Sequence, residues 1–517
     1  MTVAPQTPEL DVIDPFVHDA RRLRSILFAM ITALVAVIAA MSGLNVAQQQ
    51  LAFDLGASQG SVLWIINAYT LALAALLMPV GAIGDRYGRK PVLLTGLVIF
   101  GISSVAAVFA SSAVAMIVAR SFAGVGAAMI MPVTLSIITS SFPPDERAKA
   151  IGVWAGFAGA GGMIGLFFSS FMIDVLSWRW VFALPIVLVV VAFFLATRFA
   201  PNSREVSHHS FDLVGSVLSA LGLGGIVLGI HEGPEKGWSH PLTIAGLLVG
   251  VVAILAFVAW ERRHREPLID VALFADRGLS TGTVTLIVMF GVMFGIFLVL
   301  FPFFQAVLGW SALHSASAML PMAGGMMPLS TVAPRIAARF GKRNTMFAGV
   351  VVFGLGLMSM ALFTSVDRGY TSVLPGLILI GVGMGLTMTP STEVITENLP
   401  AEKQGVASAI NDTSRELGGA VGVALLGSIF SAGYRAAVEP KLDGLDPALV
   451  DKASEGIGQA YAVAQQAGDA APRIIDAAQR ALVDGWTGAM WVGVGIAAVT
   501  ALFVFFRGPE RESASSR

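Results

Sequence analysis

The sequence predicts an all-α membrane protein with fourteen transmembrane helices, arranged as two six-helix bundles with a two-helix linker insert between them. Three observations predict it. The chain is 56% hydrophobic and only 13% charged, against about 45–50% and about 25% in a soluble globular chain. Apolar stretches of spanning length recur fourteen times along it. Finally, a five-residue pattern, Arg, aromatic, Gly, basic, basic, occurs at Arg86–Lys90 and again at Arg339–Arg343, after the second and the tenth stretch.

Residues 1–24 form a polar tail that carries Glu9, Asp11, Asp14 and Asp19 and ends on Arg21, Arg22 and Arg24. A secretory signal would pass quickly from a short basic start into its apolar core, so the first apolar stretch is expected to stay in the membrane. Crossing a hydrocarbon core roughly 30 Å thick at ~1.5 Å per residue takes about 20 apolar residues. Stretches 25–47, 62–83, 91–110, 113–138, 149–173 and 180–198 supply an N-terminal bundle, 25–198. Stretches 213–231 and 241–260 lie in a linker, 199–277. Stretches 279–304, 315–334, 345–364, 373–391, 404–433 and 486–506 supply a C-terminal bundle, 278–506, followed by a tail, 507–517. Between the last two stretches, 434–485 reads as an extracytoplasmic loop broken by Pro440, Pro447 and Pro472. Within it, "PRIIDAAQRALVDGW" has the spacing of a short amphipathic helix lying on the outer surface.

Charge orients the chain. The side that holds both termini carries 22 of the 32 Lys and Arg residues, the opposite side carries 8, and Arg120 and Arg415 fall inside spans. Basic residues collect in cytoplasmic loops, so both termini are expected in the cytoplasm, with the chain in a plasma membrane of bacterial type. A net charge of -1 makes no electrostatic case for nucleic acid, and with no cysteine there is neither a disulfide framework nor thiolate chemistry. No Walker-type phosphate loop is present, which argues against ATP drive. No His, Asp and Glu cluster in the spans has catalytic or metal-ligand spacing, so neither an enzyme nor a metal site is expected. Composition implies the lipid bilayer as a partner. The two copies of the basic pattern stand eight spans apart, which fits a duplicated six-span unit with the substrate site between the halves near the midplane.

The first copy lies in "GAIGDRYGRK", Gly81 to Lys90, which resembles the signature loop G-x-x-x-D-R-x-G-R-K of the major facilitator superfamily. "WIINAYTLALAALLMPVGAIGDRYGRK", "SWRWVFALPI" and "NDTSRELGGAVGVALLGS" are similar to its fourteen-span drug:proton antiporter branch, the EmrB/QacA-like multidrug efflux transporters. The resemblance covers essentially the whole chain. It implies secondary active, proton-coupled efflux of drugs or other amphiphiles by alternating access, with Gly81, Asp85, Arg86, Gly88, Arg89 and Lys90 as a cytoplasmic gate latch. The same resemblance implies a small amphiphilic substrate and protons as partners, with a proton gradient in place of a cofactor and a monomer as the expected state. Asp85 suits a neighbouring helix N-terminus and the arginines suit acidic partners, while Gly81 and Gly88 suit close approach and a tight turn. In span 4, "ARSFAGVGAAMIMP" is similar to the family's R-x-x-Q-G-x-G-A-A, with Arg120 buried and Ala123 in place of Gln. A buried membrane arginine marks function by default, although bonds to backbone carbonyls would also hold it. The chain departs from the family pattern at three places. The span-1 acid falls at about Ala40, the span-2 acid is Asn67, and the span-5 run keeps Gly161 and Gly165 as helix-packing glycines but has Leu166 for Pro and Ser169–Ser170 for a glycine pair.

A proton-driven exporter needs a group in the translocation path that changes charge. The assigned spans contain two acids, Asp412 and Glu416, spaced i, i+4 on one helix face with Arg415 beside them. They lie about 10 and 16 Å inside a membrane boundary near Gly405. Burial disfavours charge on such an acid and the guanidinium favours it, so a titratable site and a permanent ion pair both follow; a later helix start would make the group an interfacial anchor. Asp412, Glu416, Arg415 and Arg120 are the coupling candidates, with Glu393 and Glu397 behind them. The absence of acids from the first six spans predicts a neutral-to-positive cavity that suits neutral or anionic amphiphiles better than dications. Cavity candidates are Asn45, Trp64, Asn67, Tyr69 and Gln305, with Trp310 and the Met-rich "MLPMAGGMMP" beside them. Two other readings compete: a dedicated exporter of one metabolite or self-made antibiotic, and a non-transporting membrane sensor or scaffold.

Overall fold

A computed structural model describes residues 17, 19–57, 59–203, 212–400 and 403–509. No strand occurs among them, as expected where lipid offers the backbone no hydrogen-bond partner and a helix satisfies its own. The helices are α1 (Ala20–Asp54), α2 (Gln59–Tyr87), α3 (Arg89–Val108), α4 (Ala113–Ser141), α5 (Pro144–Val175) and α6 (Ala183–Phe199). They continue with α7 (Leu213–Lys236), α8 (Pro241–Glu261), α9 (Arg277–Pro302), the short α10 (Ala312–Ser317) and α11 (Leu320–Phe340). The chain ends through α12 (Lys342–Phe363), α13 (Leu374–Glu397), α14 (Gln404–Val438), the short α15 (Pro447–Ser454) and α16 (Ile457–Ala464), and α17 (Ala471–Arg507).

Local chemistry sets many of the starts. Asp19, Ser112, Asp212 and Asp276 cap α1, α4, α7 and α9 through side-chain oxygens that accept backbone N–H bonds, satisfying donors the helix itself leaves unpaired. The two basic repeats share a backbone device. Single residues, Gly88 (φ 109°) and Gly341 (φ 90°), separate α2 from α3 and α11 from α12, and a residue with a Cβ adopts such angles only under strain.

Thirteen helices among the described residues are long and apolar enough to cross a membrane. The tenth expected span falls on α11, which is less apolar because it carries Arg335, Arg339 and the prolines Pro321, Pro328 and Pro334. It also starts at Leu320 instead of 315, since α10 ends at Ser317 and Pro321 opens a new first turn. The 434–485 segment is more helical than a loop. It contains the end of α14, then α15 and α16, and "PRIIDAAQRALVDGW" is the first part of the 37-residue α17, continuous with the last span. Its apolar face packs on neighbouring helices, with Ile474, Ala478, Ala481 and Leu482 buried, so no separate helix lies on the surface there.

Helix α1 packs on α5 and α6, and α4 packs on α2 and α3. Farther along, α9 packs on α14, α12 on α13 and α17, and α11 on α13. The α7–α8 hairpin sits against α2. The N-terminal helices meet the C-terminal ones chiefly through α2 and α4 on α14, and through α5 on α11.

Candidate functional site

The α2–α14 contact is one of the close joins between the two groups. A Cβ at Gly81 would stand 2.6 Å from the Gly405 carbonyl oxygen, so the two backbones approach as glycine alone allows. That approach delivers the Asp85 carboxylate to the start of α14, where it accepts N–H bonds from Gly405 at 2.8 Å and Val406 at 3.2 Å. Arg89 completes the latch, donating to Asp85 from Nη2 at 2.8 Å and from Nε at 3.1 Å. Its Nη1 reaches the Ser203 hydroxyl at 3.2 Å. Both Asp85 and Arg89 are buried, and the positive end of the α14 dipole adds to the attraction. Lys90 donates to the Thr197 carbonyl at 2.7 Å. Arg86 is exposed, with its guanidinium 5.7 Å from the Tyr87 ring centre.

The second copy of the pattern builds no such latch. Ala338 stands where Asp85 stands in the first. The helix that α11 meets, α5, opens on Pro143 and Pro144, which have no N–H to offer. There the join is Gly152 against the backbone of Ser330.

Deeper in, α14 places Asp412, Arg415 and Glu416 among helices of both groups. Asp412 is fully buried; its Oδ1 accepts from Asn411 Nδ2 at 3.2 Å and from Arg415 Nη1 at 3.4 Å. Arg415 crosses to α5, donating from Nη2 to the Ala158 carbonyl at 3.2 Å. Its guanidinium lies 4.7 Å from the Phe290 ring centre on α9 and 5.8 Å from that of Trp154 on α5, within cation–π range. Trp154 is anchored in turn by its Nε1–H to the Thr134 hydroxyl on α4, 3.2 Å, and Asn411 by the Thr392 hydroxyl of α13, 2.9 Å. Asp412 Oδ2 and Arg415 Nε have no hydrogen-bond partner among the described residues. Glu416 is half-buried, twelve residues along α14 from Gln404, or about 18 Å.

Arg120 is 1% exposed and meets carbonyls instead of acids. It donates from Nε to the Ile65 carbonyl at 3.3 Å and from Nη1 to the Ala40 carbonyl at 3.4 Å. The span-1 position where the family carries an acid is therefore still its partner, through the main chain. Tyr69 holds the other face: its ring centre is 4.2 Å from the guanidinium and its hydroxyl donates to the Val37 carbonyl at 3.0 Å. Nη2 is unpartnered among the described residues. A buried cation with neutral partners alone is costly, and Glu416 on α14 is close enough to Tyr69 to act on it electrostatically. Helix α14 packs on both α2 and α4, the helices that carry Tyr69 and Arg120.

The remaining candidates scatter. Asn67 is half-buried on α2. Asn45 lies in α1, and its side chain falls outside the described residues. Trp64 lines a lateral cavity between α2, α4, α7 and α8, away from the constellation. Gln305 is exposed on a π-helical turn, Phe303–Val307, and Trp310 stacks between Phe304 and His314 near it, with centroid distances of 5.5 and 3.9 Å. Gly161 contacts Ile38, and Gly165 packs directly on the Ala39 backbone, joining α5 to α1. Glu393 and Glu397 both pair with Lys342 at the latch end. Trp154, Ala158 and Phe290, which hold Arg415, were not legible beforehand. A lone Trp beside the glycine-rich "AGFAGAGG" was the one available signal.

A polar constellation buried between two groups of spans, with a latch joining them at one end, suits a multi-pass transporter. Residues 28–423 match the Major Facilitator Superfamily, and the chain belongs to that family. It is 31% identical to the multidrug resistance protein Stp of Mycobacterium tuberculosis (strain CDC 1551 / Oshkosh), over 79% of this chain and 76% of that one. It is 30% identical to the tetracenomycin C resistance and export protein of Streptomyces glaucescens, over 92% and 89%. Its fold matches that of the proton:xylose symporter XylE with a TM-score of 0.62 at 14% identity, over 95% of this chain and 97% of that one.

Proposed function

We propose that this protein is a proton-coupled exporter of drugs or other amphiphiles, working by alternating access in a bacterial-type plasma membrane with both termini cytoplasmic. In this reading α11, the tenth span in chain order, brings the count to fourteen, α1–α6 and the group α9 to α17 are two six-span bundles, and α7–α8 is an insert. The bundles rock about the α14 site, and Gly81, Asp85, Gly88, Arg89 and Lys90 latch the cytoplasmic end shut. Asp412 and Glu416 carry the proton, while Arg415 and Arg120 supply positive charge that a deprotonated carboxylate or an anionic substrate can answer.

The observation that carries the reading is the buried Asp412–Arg415 pair, bonded from α14 to the α5 backbone. Any rocking of one group against the other must break or re-form that bond, so a change in carboxylate charge bears directly on the motion. The names of relatives that resist or export drugs support the substrate class. With no acid in the six apolar stretches of 25–198, the central region suits neutral or anionic amphiphiles. Purified protein in liposomes should accumulate a lipophilic dye against an imposed pH gradient, and an ionophore that collapses the gradient should abolish it. Accumulation that persists after collapse would rule out proton coupling.

A further inference from the structure

Between the insert and the bundle lies a cavity of about 500 Å³, walled by α2 and α4 on one side and α7 and α8 on the other. That volume falls among small-molecule sites, about 300–1,000 Å³. Its walls are mostly small or aliphatic, as at Ala68, Ala72, Gly224 and Ala245, and its two side chains with polar atoms are Trp64 and Ser121. On α2 the lining runs from Trp64 to Ala75, eleven residues or about 16 Å, in the half remote from Asp85. That is about the depth of one leaflet's hydrocarbon. The floor is closed where α7 meets α2: a Cβ at Gly224 would stand 3.2 Å from that of Ala75.

We propose that this lateral cavity is a binding site for the apolar body of the transported amphiphile, a proposal that rests on the exporter reading above. Two observations favour an amphiphile over a plain acyl chain, which needs no polar partner. The Ser121 hydroxyl donates to the Ile117 carbonyl at 2.9 Å and keeps its lone pairs for a donor. Trp64 is half-buried on the cavity wall, and its indole pairs an apolar ring with an N–H donor that suits the polar end of an amphiphile. The cavity also shares two helices with the constellation. Tyr69 and Arg120 are the chain neighbours of Ala68 and Ser121, so α2 and α4 carry the cavity on one face and the buried arginine on another. A body wedged there presses on the helices that hold Arg120.

The test uses full-length protein in nanodiscs and 12-bromododecanol, an uncharged amphiphile whose bromine quenches tryptophan. The chain has nine tryptophans, so the Trp64 signal is taken as the difference between the native protein and Trp64→Phe. The expected result is saturable quenching whose midpoint weakens at least fivefold in Ala245→Phe, which fills the cavity. Leu228→Ala, which enlarges it, keeps saturation and guards against a misfolded variant. Quenching that never saturates, or is equal in Ala245→Phe, overturns the proposal. So does strong Trp64 quenching by dibrominated phosphatidylcholine that the unbrominated alcohol cannot relieve, which would make the cavity a lipid slot. Dye transport on the same preparations separates the two readings. Gradient-driven transport without saturable quenching sinks the cavity alone, and saturable quenching without such transport sinks the exporter.

Discussion

Replacing Asp85 with Asn removes the charge from the latch while keeping its shape. The carboxylate accepts backbone N–H bonds from Gly405 and Val406 and pairs with Arg89 at 2.8 Å, all out of water. Hydrogen bonds to a charged group contribute about 1.5–3 kcal/mol each, and an anion at a helix N-terminus adds about 0.3–1 kcal/mol. Asparagine retains one acceptor oxygen, so the net loss is about 2 kcal/mol, below the 3–5 kcal/mol of stranding a buried charge. At about 1.4 kcal/mol per tenfold, α2 and α14 should part roughly 30 times more often. Amide hydrogen exchange over 404–410 in nanodiscs reads that opening directly, and exchange there should quicken by the same factor. Asp145→Asn is the internal comparison: Asp145 is exposed at the start of α5, beside prolines that donate nothing, and its effect should stay within about twofold. Unchanged exchange in Asp85→Asn would refute the latch.

Other outcomes follow from the same geometry. Arg120→Lys keeps the charge but loses the planar fork that reaches both Ile65 and Ala40 and the stacking on Tyr69; dye transport should fall at least about tenfold with surface expression intact. Tyr69→Phe keeps the ring face and loses the bond to Val37, which should lower stability by about 1 kcal/mol in thermal unfolding and leave Arg120 in place. Gly88→Ala and Gly341→Ala should each cost about 1–2 kcal/mol, because both positions have positive φ. Gly422→Ala would drive a Cβ into the Gly291 carbonyl, separating α14 from α9 and destabilising the protein by about 1–3 kcal/mol in the same assay.

Span existence was legible because bilayer thickness writes itself into sequence as runs of about 20 apolar residues. The repeat was legible because the one-residue break between paired helices demands glycine at 88 and again at 341. Boundaries were harder. Helix α17 starts 15 residues before its expected start, 486, because its apolar stripe packs on α14 and α16, and composition cannot separate that stripe from one facing lipid. The weaker apolarity of α11 has a different cause, the exposed Arg335 and Arg339 in its last two turns and its three prolines. The acids of α14 stood out as charges in an apolar run, yet their partners are contributed by α5, α9 and α13, far away in sequence. A backbone carbonyl such as Ala158 or Ala40 leaves no trace in residue type. Trp64 was legible as a cavity aromatic but not as belonging to a lateral cavity, because helical spacing alone does not say which neighbour a face meets.

The measurement closest to the central claim compares two modes of transport in one preparation. Liposomes bearing native protein, Asp412→Asn or Glu416→Gln are assayed for dye counterflow, which needs alternating access but no net proton movement, and for accumulation driven by a pH gradient. The account predicts that at least one variant keeps counterflow and loses gradient-driven accumulation. Native-like accumulation in both variants would contradict it and remove the proton from α14.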